Sequence, residues 1–349
     1  MKKMFTACLL LLLFSSTAIA QNTGNKTFTN PLLPSGADPW VICKNGFYYY
    51  TNSTGGNIVI WKTKDITKLS TAPKKAVWAP PPGTAYSKDI WAPELHFING
   101  KWYVYFAADN GDNNNHRIYV LENSSADPME GTWEFKGKIA DSTDKWAIDA
   151  SVFENNGSWY MIWSGWEGDH NGQQNIYIAK MKDAMTIGSE RVKISSPAYQ
   201  WETNGDLHDA GNPAHVSVNE GPEILKHKDK LFLIYSASGC WTDFYALGML
   251  TASKNSDLLN PNSWIKTEEP VFKQSPESSV YAPGHNSFFK SPDGREDWIL
   301  YHANSNPNEG CGNKRSPRAQ KFTWNKDGSP NFGVPLKDGQ PLVVPSGTK

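Results

Sequence analysis

Asn219-Glu220-Gly221-Pro222-Glu223-Ile224-Leu225 leads through Lys226-His227-Lys228-Asp229-Lys230 into the apolar run Leu231-Phe232-Leu233-Ile234-Tyr235. A carboxylate, a short strand, a polar hairpin turn and a hydrophobic strand follow one another, and the same succession occurs five times. A polar residue stands a short way ahead of each turn: Asp38 before Gly46, Asp89 before Gly100, Asp149 before Gly157, Glu220 before Asp229 and His285 before Asp293. An aromatic or aliphatic strand follows each turn, at Phe47-Tyr50, Trp102-Phe106, Trp159-Trp163, Leu231-Tyr235 and Trp298-Tyr301. The turn-to-turn intervals of 54, 57, 72 and 64 residues are too uneven for a consensus solenoid. They suit radially repeated four-stranded sheets with variable loops, so an all-β, five-bladed β-propeller is predicted. If the first strand of each blade lines a central channel, the residues near its entrance converge on one site.

Working outward, each unit repeats the plan. The first starts at Asp38-Pro39-Trp40, and Ile58-Val59-Ile60-Trp61 gives it a further strand before the connector Ala79-Pro80-Pro81-Pro82-Gly83. Proline there removes ladder donors and excludes a helix. Asn99-Gly100 and Asn156-Gly157 are hairpin signals of the two-residue type. Tyr199 to His215 forms a long loop whose His208, Asp209 and His215 have no compact zinc spacing. Arg318 to Trp324 supplies a strand of the fifth unit, and residues 21 to 35 are expected to help close the ring.

The formal net charge of the 349 residues is -1, so no basic balance draws the chain to nucleic acid. Met1-Lys2-Lys3, the apolar Leu9-Phe14 and Ala18-Ile19-Ala20 read as a secretory signal over residues 1–20, followed by a single domain over 21–349. Its apolar stretch is too short to span a membrane, and the expected destination is the periplasm or the exterior. Beyond it lie three cysteines, Cys43, Cys240 and Cys311, an odd count that argues against a disulfide framework. If one bridge forms, Cys240 with Cys311 is the favoured pair, since both sit in loops just beyond blade strands; three thiols is the alternative. Aromatic residues make up 13% of the chain. Flat rings match sugar faces, but their recurrence in predicted strands assigns most of them to packing between blades.

Glycosidic hydrolysis needs one group to protonate the leaving oxygen and a second to activate water or attack the anomeric carbon. Asp38, Asp149 and Glu220 can supply them, because the repeat brings distant strand starts together. Turn capping is the bland reading for each aspartate and loop solvation for Glu220.

The segments Ala37-Asp38-Pro39, Asp89-Ile90-Trp91-Ala92-Pro93-Glu94, Ile148-Asp149-Ala150-Ser151, Asn219-Glu220-Gly221-Pro222 and Gly284-His285-Asn286-Ser287 together resemble family 43 of the glycoside hydrolases, over residues 30 to 345. The resemblance implies an inverting enzyme in which Asp38 is the general base, Glu220 the general acid, and Asp149 the residue that raises the acid's pKa and orients it. It further implies that His285 lies in the central channel, beside a largely water-ligated structural calcium, and that Arg318 binds sugar near the catalytic centre. Trp91 is the expected ring platform for sugar. No organic cofactor is implied. The chain departs from the usual Glu-Gly-Pro-His pattern, since Glu223 stands in the last position.

Tyr235-Ser236-Ala237-Ser238-Gly239-Cys240-Trp241-Thr242-Asp243, with no sandwich-like pattern after the fifth unit, is closest to exo-acting α-L-arabinofuranosidases. Terminal arabinofuranose on plant cell-wall arabinan or arabinoxylan, and on oligosaccharides derived from them, is the expected substrate, handled by a monomer. β-Xylosidase and endo-arabinanase are the enzymatic alternatives. A lectin-like propeller is the nonenzymatic one, and it gives no reason for the registered acids.

Overall fold

The computed structural model describes residues 26–208 and 213–349. The expected signal segment and Asp209 lie outside them. A two-stranded pair joins β1 (Thr27–Phe28) near one end of the described chain to β23 near the other, with β1 and β23 (Leu342–Val343) antiparallel.

Between these ends lie five sheets, each built from consecutive strands. The first contains β2 (Trp40–Lys44), β3 (Phe47–Thr51), β4 (Ile58–Thr63) and β5 (Lys74–Trp78). In the second are β6 (Lys88–Ile98), β7 (Lys101–Asp109), β8 (Arg117–Asn123) and β9 (Glu134–Ile139). The third holds β10 (Ala147–Asn155), β11 (Ser158–Gly165) and β12 (Asn175–Asp183), with β13 (Thr186–Ile187) and β14 (Val192–Ser195) both pairing on β12. Sheet four is β15 (Asn219–His227), β16 (Lys230–Ala237), β17 (Ala246–Ser253) and β18 (Ile265–Lys266). Sheet five is β19 (Tyr281–Lys290), β20 (Asp297–Asn304), β21 (Ser316–Trp324) and β22 (Pro330–Asn331). The first strands touch in cyclic order, β2 to β6, β10, β15, β19 and back to β2, so the sheets are blades around one axis and the fold is a five-bladed β-propeller.

Local sequence explains the hairpins. Asn45-Gly46, Asn99-Gly100 and Asn156-Gly157 all take positive φ at both positions, the mirror-image turn whose twist matches paired strands. The second strand of each blade is covered on both faces by neighbouring blades, so it reads as an unbroken apolar run rather than an alternating one; β16 is buried at every position from Leu231 to Ala237. Five principal hydrophobic clusters form, each shared by two adjacent sheets, and the aromatic residues populate them. The last such cluster joins Val41, Tyr48 and Tyr50 of the first blade to Phe289, Trp298 and Leu300 of the fifth. Residues ahead of β2 reinforce that seam: Leu32 N–H donates to the Pro317 carbonyl and Asn30 brackets Ala319 with two hydrogen bonds.

Cys240 and Cys311 are bonded, tying the loop after β16 to the loop after β20, whereas Cys43 is a free, exposed thiol.

Trp102 on β7 is fully buried between the first two blades, with Tyr49 edge-on at 5.2 Å and Phe97 at 4.9 Å between ring centroids. Trp102→Ala is expected to destabilise the fold by about 3–5 kcal/mol, read as a lowered denaturant midpoint.

Candidate active site

The innermost strands share one backbone device. Asp38, Ala92, Asp149, Gly221 and His285 all have φ between 43° and 57°, and each stands eight residues ahead of Gly46, Gly100, Gly157, Asp229 and Asp293 respectively. In β6, β10, β15 and β19 the pairing register slips at or beside this residue, a bulge that re-aims the strand entrance. A left-handed non-glycine residue costs about 1–3 kcal/mol. Four of the five accept it in order to turn the chain toward the axis.

This register corrects two of the expected positions. In the second blade the registered residue is Ala92, and Asp89 lies three residues earlier, outside the cavity lining. Ala92 keeps the eight-residue spacing from Gly100, whereas Asp89 stands eleven residues ahead of it, beside the first of the two register slips in β6. In the fourth blade Gly221 takes the left-handed position, and Glu220 immediately before it still reaches the cavity.

The cavity has a volume of about 700 Å³ and lies at the axis. Asp38, Asp149, Glu220 and His285 all line it, so three carboxyl groups and an imidazole from four blades meet in one space. Trp91, Trp146 and Ile148 form one apolar side; Leu207, Val216 and Trp241 form another, beside the Cys240–Cys311 bridge. Leu207 and Val216 come from the long loop and its exit, which therefore walls the cavity. Trp91 is braced from behind, stacked on His116 at 4.0 Å, and Trp146 stacks on Trp166 at 4.7 Å. Asp89 contributes to this brace through its carbonyl, 3.3 Å from His116 Nε2.

Arg318 is elsewhere. It is completely buried, with its guanidinium bonded to Asp338, the Ala303 and Ser316 carbonyls and the hydroxyls of Ser305 and Ser316, and it does not line the cavity. The arginine at the site is Arg315, in the loop ahead of β21, whose Nη1 lies 3.1 Å from Asp38 Oδ1. Sequence reading could not separate them, because the two differ only in whether they precede or follow the start of β21 at Ser316.

Asp38 is held from every side. The Ser53 hydroxyl donates to Oδ2 and in turn accepts from the Ala92 N–H at 2.7 Å. His285 Nδ1 is 3.3 Å from Oδ1, and the Asp38 N–H donates to His302 Nδ1 at 3.0 Å, which requires that nitrogen to be unprotonated. Burial alone would raise the Asp38 carboxyl, but the Arg315 guanidinium, the two imidazoles and the Ser53 hydroxyl outweigh it and hold the group below the usual carboxylate range. Burial pushes His285 down and His302 well down, so both rings are neutral near pH 7.

Glu220 is shifted the opposite way, to about 7, first by burial and then by the Asp38 charge, against the lowering effects of the Tyr245 hydroxyl and Arg315. Asp149 accepts the Gly221 N–H at 3.0 Å, one residue from Glu220, and its own carboxyl is raised well above the ordinary range by burial, then by Glu220 and Asp38. Burial therefore leads in raising Glu220, while Asp149 fixes the backbone that presents it. At mildly acid pH one carboxylate, Asp38, is ionised while Glu220 and Asp149 retain protons. Two carboxyl groups in one cavity with environments that separate their pKa values are what paired acid and base chemistry requires.

Near these groups lie Glu94 and Glu223. Ser151 donates to Glu223 at 2.9 Å, and His96 Nε2 is 2.9 Å from Glu94. Burial raises Glu223 to about 8, and burial followed by the Glu223 charge raises Glu94 well above the usual range. Glu223, in the position where the motif usually has histidine, is thus a partly buried acid that keeps its proton at neutral pH. Ser53, Trp146 and Arg315 carry no motif that sequence reading could have used; Tyr245 follows the quoted Tyr235–Asp243 segment without belonging to it.

A protein-family model described as "Glycosyl hydrolases family 43" matches residues 28–330. The extracellular exo-alpha-(1->5)-L-arabinofuranosidase of Streptomyces avermitilis is 40% identical, over 97% of this chain and 70% of that protein. The protein of the same name from Streptomyces chartreusis is 37% identical, over 79% of this chain and 82% of its own length. The crystal structure of alpha-L-arabinofuranosidase from Lactobacillus brevis superposes with a TM-score of 0.82 at 38% identity, covering 90% of this chain and 98% of that one.

Because Arg315 is the one guanidinium beside Asp38 among the described residues, Arg315→Ala is expected to raise the Asp38 pKa by about 1–3 units. Carbon-detected NMR titration of the carboxyl measures this directly.

Proposed function

The chain belongs to family 43 of the glycosyl hydrolases, and from that premise we propose that it is an exo-acting α-L-arabinofuranosidase that removes terminal arabinofuranose from arabinan or arabinose-decorated xylan. The observation that carries this reading is the convergence of an ionised Asp38 and a protonated Glu220 in a single cavity walled by tryptophans and by long loops. A walled pocket suits the end of a chain, and the similarity to named arabinofuranosidases favours arabinose over xylose.

In the proposed reaction a water beside Asp38 attacks the anomeric carbon as Asp38 takes its proton. Glu220 delivers its proton to the departing glycosidic oxygen, so the bond breaks to a neutral alcohol and the sugar inverts. Arg315 keeps Asp38 ionised, and Ser53 fixes the orientation of its carboxyl. Asp149, through the Gly221 N–H, holds the backbone that places Glu220. The stacked pairs Trp91 on His116 and Trp146 on Trp166 offer rigid faces for sugar rings.

A hydrated calcium beside His285 is compatible with the neighbouring Asn286, whose buried amide oxygen and nitrogen have no protein partner among the described residues. His285 would be its protein ligand, with waters completing the shell, since no group of three or more His, Cys, Asp or Glu converges as a ligand set among the described residues. Such an ion would supply positive charge near Asp38. No helix among the described residues is long and apolar enough to cross a membrane. The Cys240–Cys311 bridge supports the expected secretion to an oxidising compartment.

A product time course on linear arabinan, branched arabinan, arabinoxylan and xylo-oligosaccharides tests the substrate: free arabinose is expected early, whereas xylose alone or internal arabinan fragments without early monomer would overturn the reading. Proton NMR of the first-formed sugar should show inverted configuration. The pH profile of kcat/KM has a definite sign as well. Activity should fall as pH rises through about 7, where Glu220 loses the proton it must donate, and should persist into the acid range because Asp38 stays ionised there.

A further inference from the structure

The geometry points to Tyr245 as a positioning residue for proton donation: its hydroxyl occupies one oxygen of Glu220 and so fixes the other as the oxygen that carries the catalytic proton. This inference rests on the reading of Glu220 as the acid and adds to it a residue outside the cavity lining.

Tyr245 lies in the loop immediately ahead of β17, is 1% exposed, and donates from Oη to Glu220 Oε1 at 2.8 Å. Burial, then the charge of Glu220, pushes its phenol well above the ordinary range, so it remains a donor throughout the working pH range. With Oε1 engaged, a proton on the carboxyl belongs to Oε2. The fold reserves space for this ring. Gly284 is not in the left-handed region, so backbone conformation does not demand glycine there. A Cβ at Gly284 would instead stand 2.1 Å from Tyr245 Cε1, which no side chain could occupy without displacing the ring. The opposite end of the arrangement is equally defined. The Tyr245 ring lies parallel to His302 at 5.8 Å, and His302 accepts the Asp38 N–H. One buried ring therefore touches the support of the base while bonding the acid.

The titratable and charged neighbours of Glu220 are Asp38, Arg315, Asp149 and Tyr245, with His285 and His302 flanking Asp38. Among those acting on Glu220, Tyr245 is the uncharged donor. Removing it withdraws a hydrogen bond that favours the carboxylate, so the acid's pKa must rise and the alkaline limb must move upward.

The test compares wild type, Tyr245→Phe and Glu220→Gln on arabino-oligosaccharides and on an aryl arabinofuranoside with a good leaving group. Tyr245→Phe keeps the ring and its stacking. It is expected to move the alkaline limb up by about one pH unit, and to lower kcat on oligosaccharides about 10-fold with KM unchanged and the aryl substrate little affected. A Tyr245→Phe profile that superimposes on wild type, while Glu220→Gln still loses oligosaccharide activity selectively, overturns the role of Tyr245 and leaves the acid assignment standing. Equal losses on both substrates in Glu220→Gln overturn the acid assignment and this inference with it. Should Tyr245→Phe fold poorly by thermal denaturation, 3-fluorotyrosine at position 245, a stronger donor of nearly the same shape, must shift the alkaline limb downward; an unmoved limb there also overturns the proposal.

Discussion

Side chains of a β-strand stand perpendicular to its sheet, and a strand that runs along a ring axis points them into its neighbours rather than into the opening. Asp38, Asp149 and His285 escape that rule and reach the axial cavity. The left-handed residue at the entrance of each innermost strand does so, and it does so in the same register in all five blades. Once the chain has turned there, Asp38, Asp149 and His285 face a common space without any long loop to carry them. Their geometry is held by the hairpins and by the buried clusters between blades.

Within that space, identical chemistry is driven in opposite directions by surroundings. Burial raises every carboxyl at the axis, so the question for each is what opposes it. Asp38 has a guanidinium, a hydroxyl and two imidazoles; Glu220 has a phenol and a more remote guanidinium, against the charge of Asp38; Asp149 has chiefly a backbone N–H. The resulting order, Asp38 lowest and the other two raised, follows from the number and charge of those partners. Glu94 and Glu223 extend the principle, since with only a hydroxyl and an imidazole for company they are stable as neutral acids.

Much of this was legible in the sequence, for reasons specific to each feature. Polar Asn, Asp and Gly turns and the doubly covered second strands write clear local patterns, and together they give both the blade count and the register of Asp38, Asp149 and His285. The Cys240–Cys311 pair could be favoured because both cysteines fall just past blade strands. Asp89 was misplaced because it stands eleven residues ahead of Gly100 rather than eight, and the left-handed position falls on Ala92, whose methyl side chain gives no polar mark in the sequence. Arg315 was missed in favour of Arg318 because a strand boundary is not encoded to within three residues; Ser-Pro-Arg gives no sign of which arginine lies inside the sheet. The bracing of Trp91 by His116 and of Trp146 by Trp166 depends on loops whose paths no periodicity describes.

The contiguity of each blade in sequence also bears on how the chain reaches its structure. Pairing within a blade joins neighbours along the chain, so each sheet can form over short loops with little entropy to overcome. The seam between the first and fifth blades is different in kind: Val41, Tyr48 and Tyr50 must meet Phe289, Trp298 and Leu300 across most of the polypeptide. That seam has the largest chain closure of any interface in the molecule. The axial cavity straddles it, since Asp38 comes from one side while His285 and Arg315 come from the other, and a chain with every blade formed but the ring still open would lack those contacts.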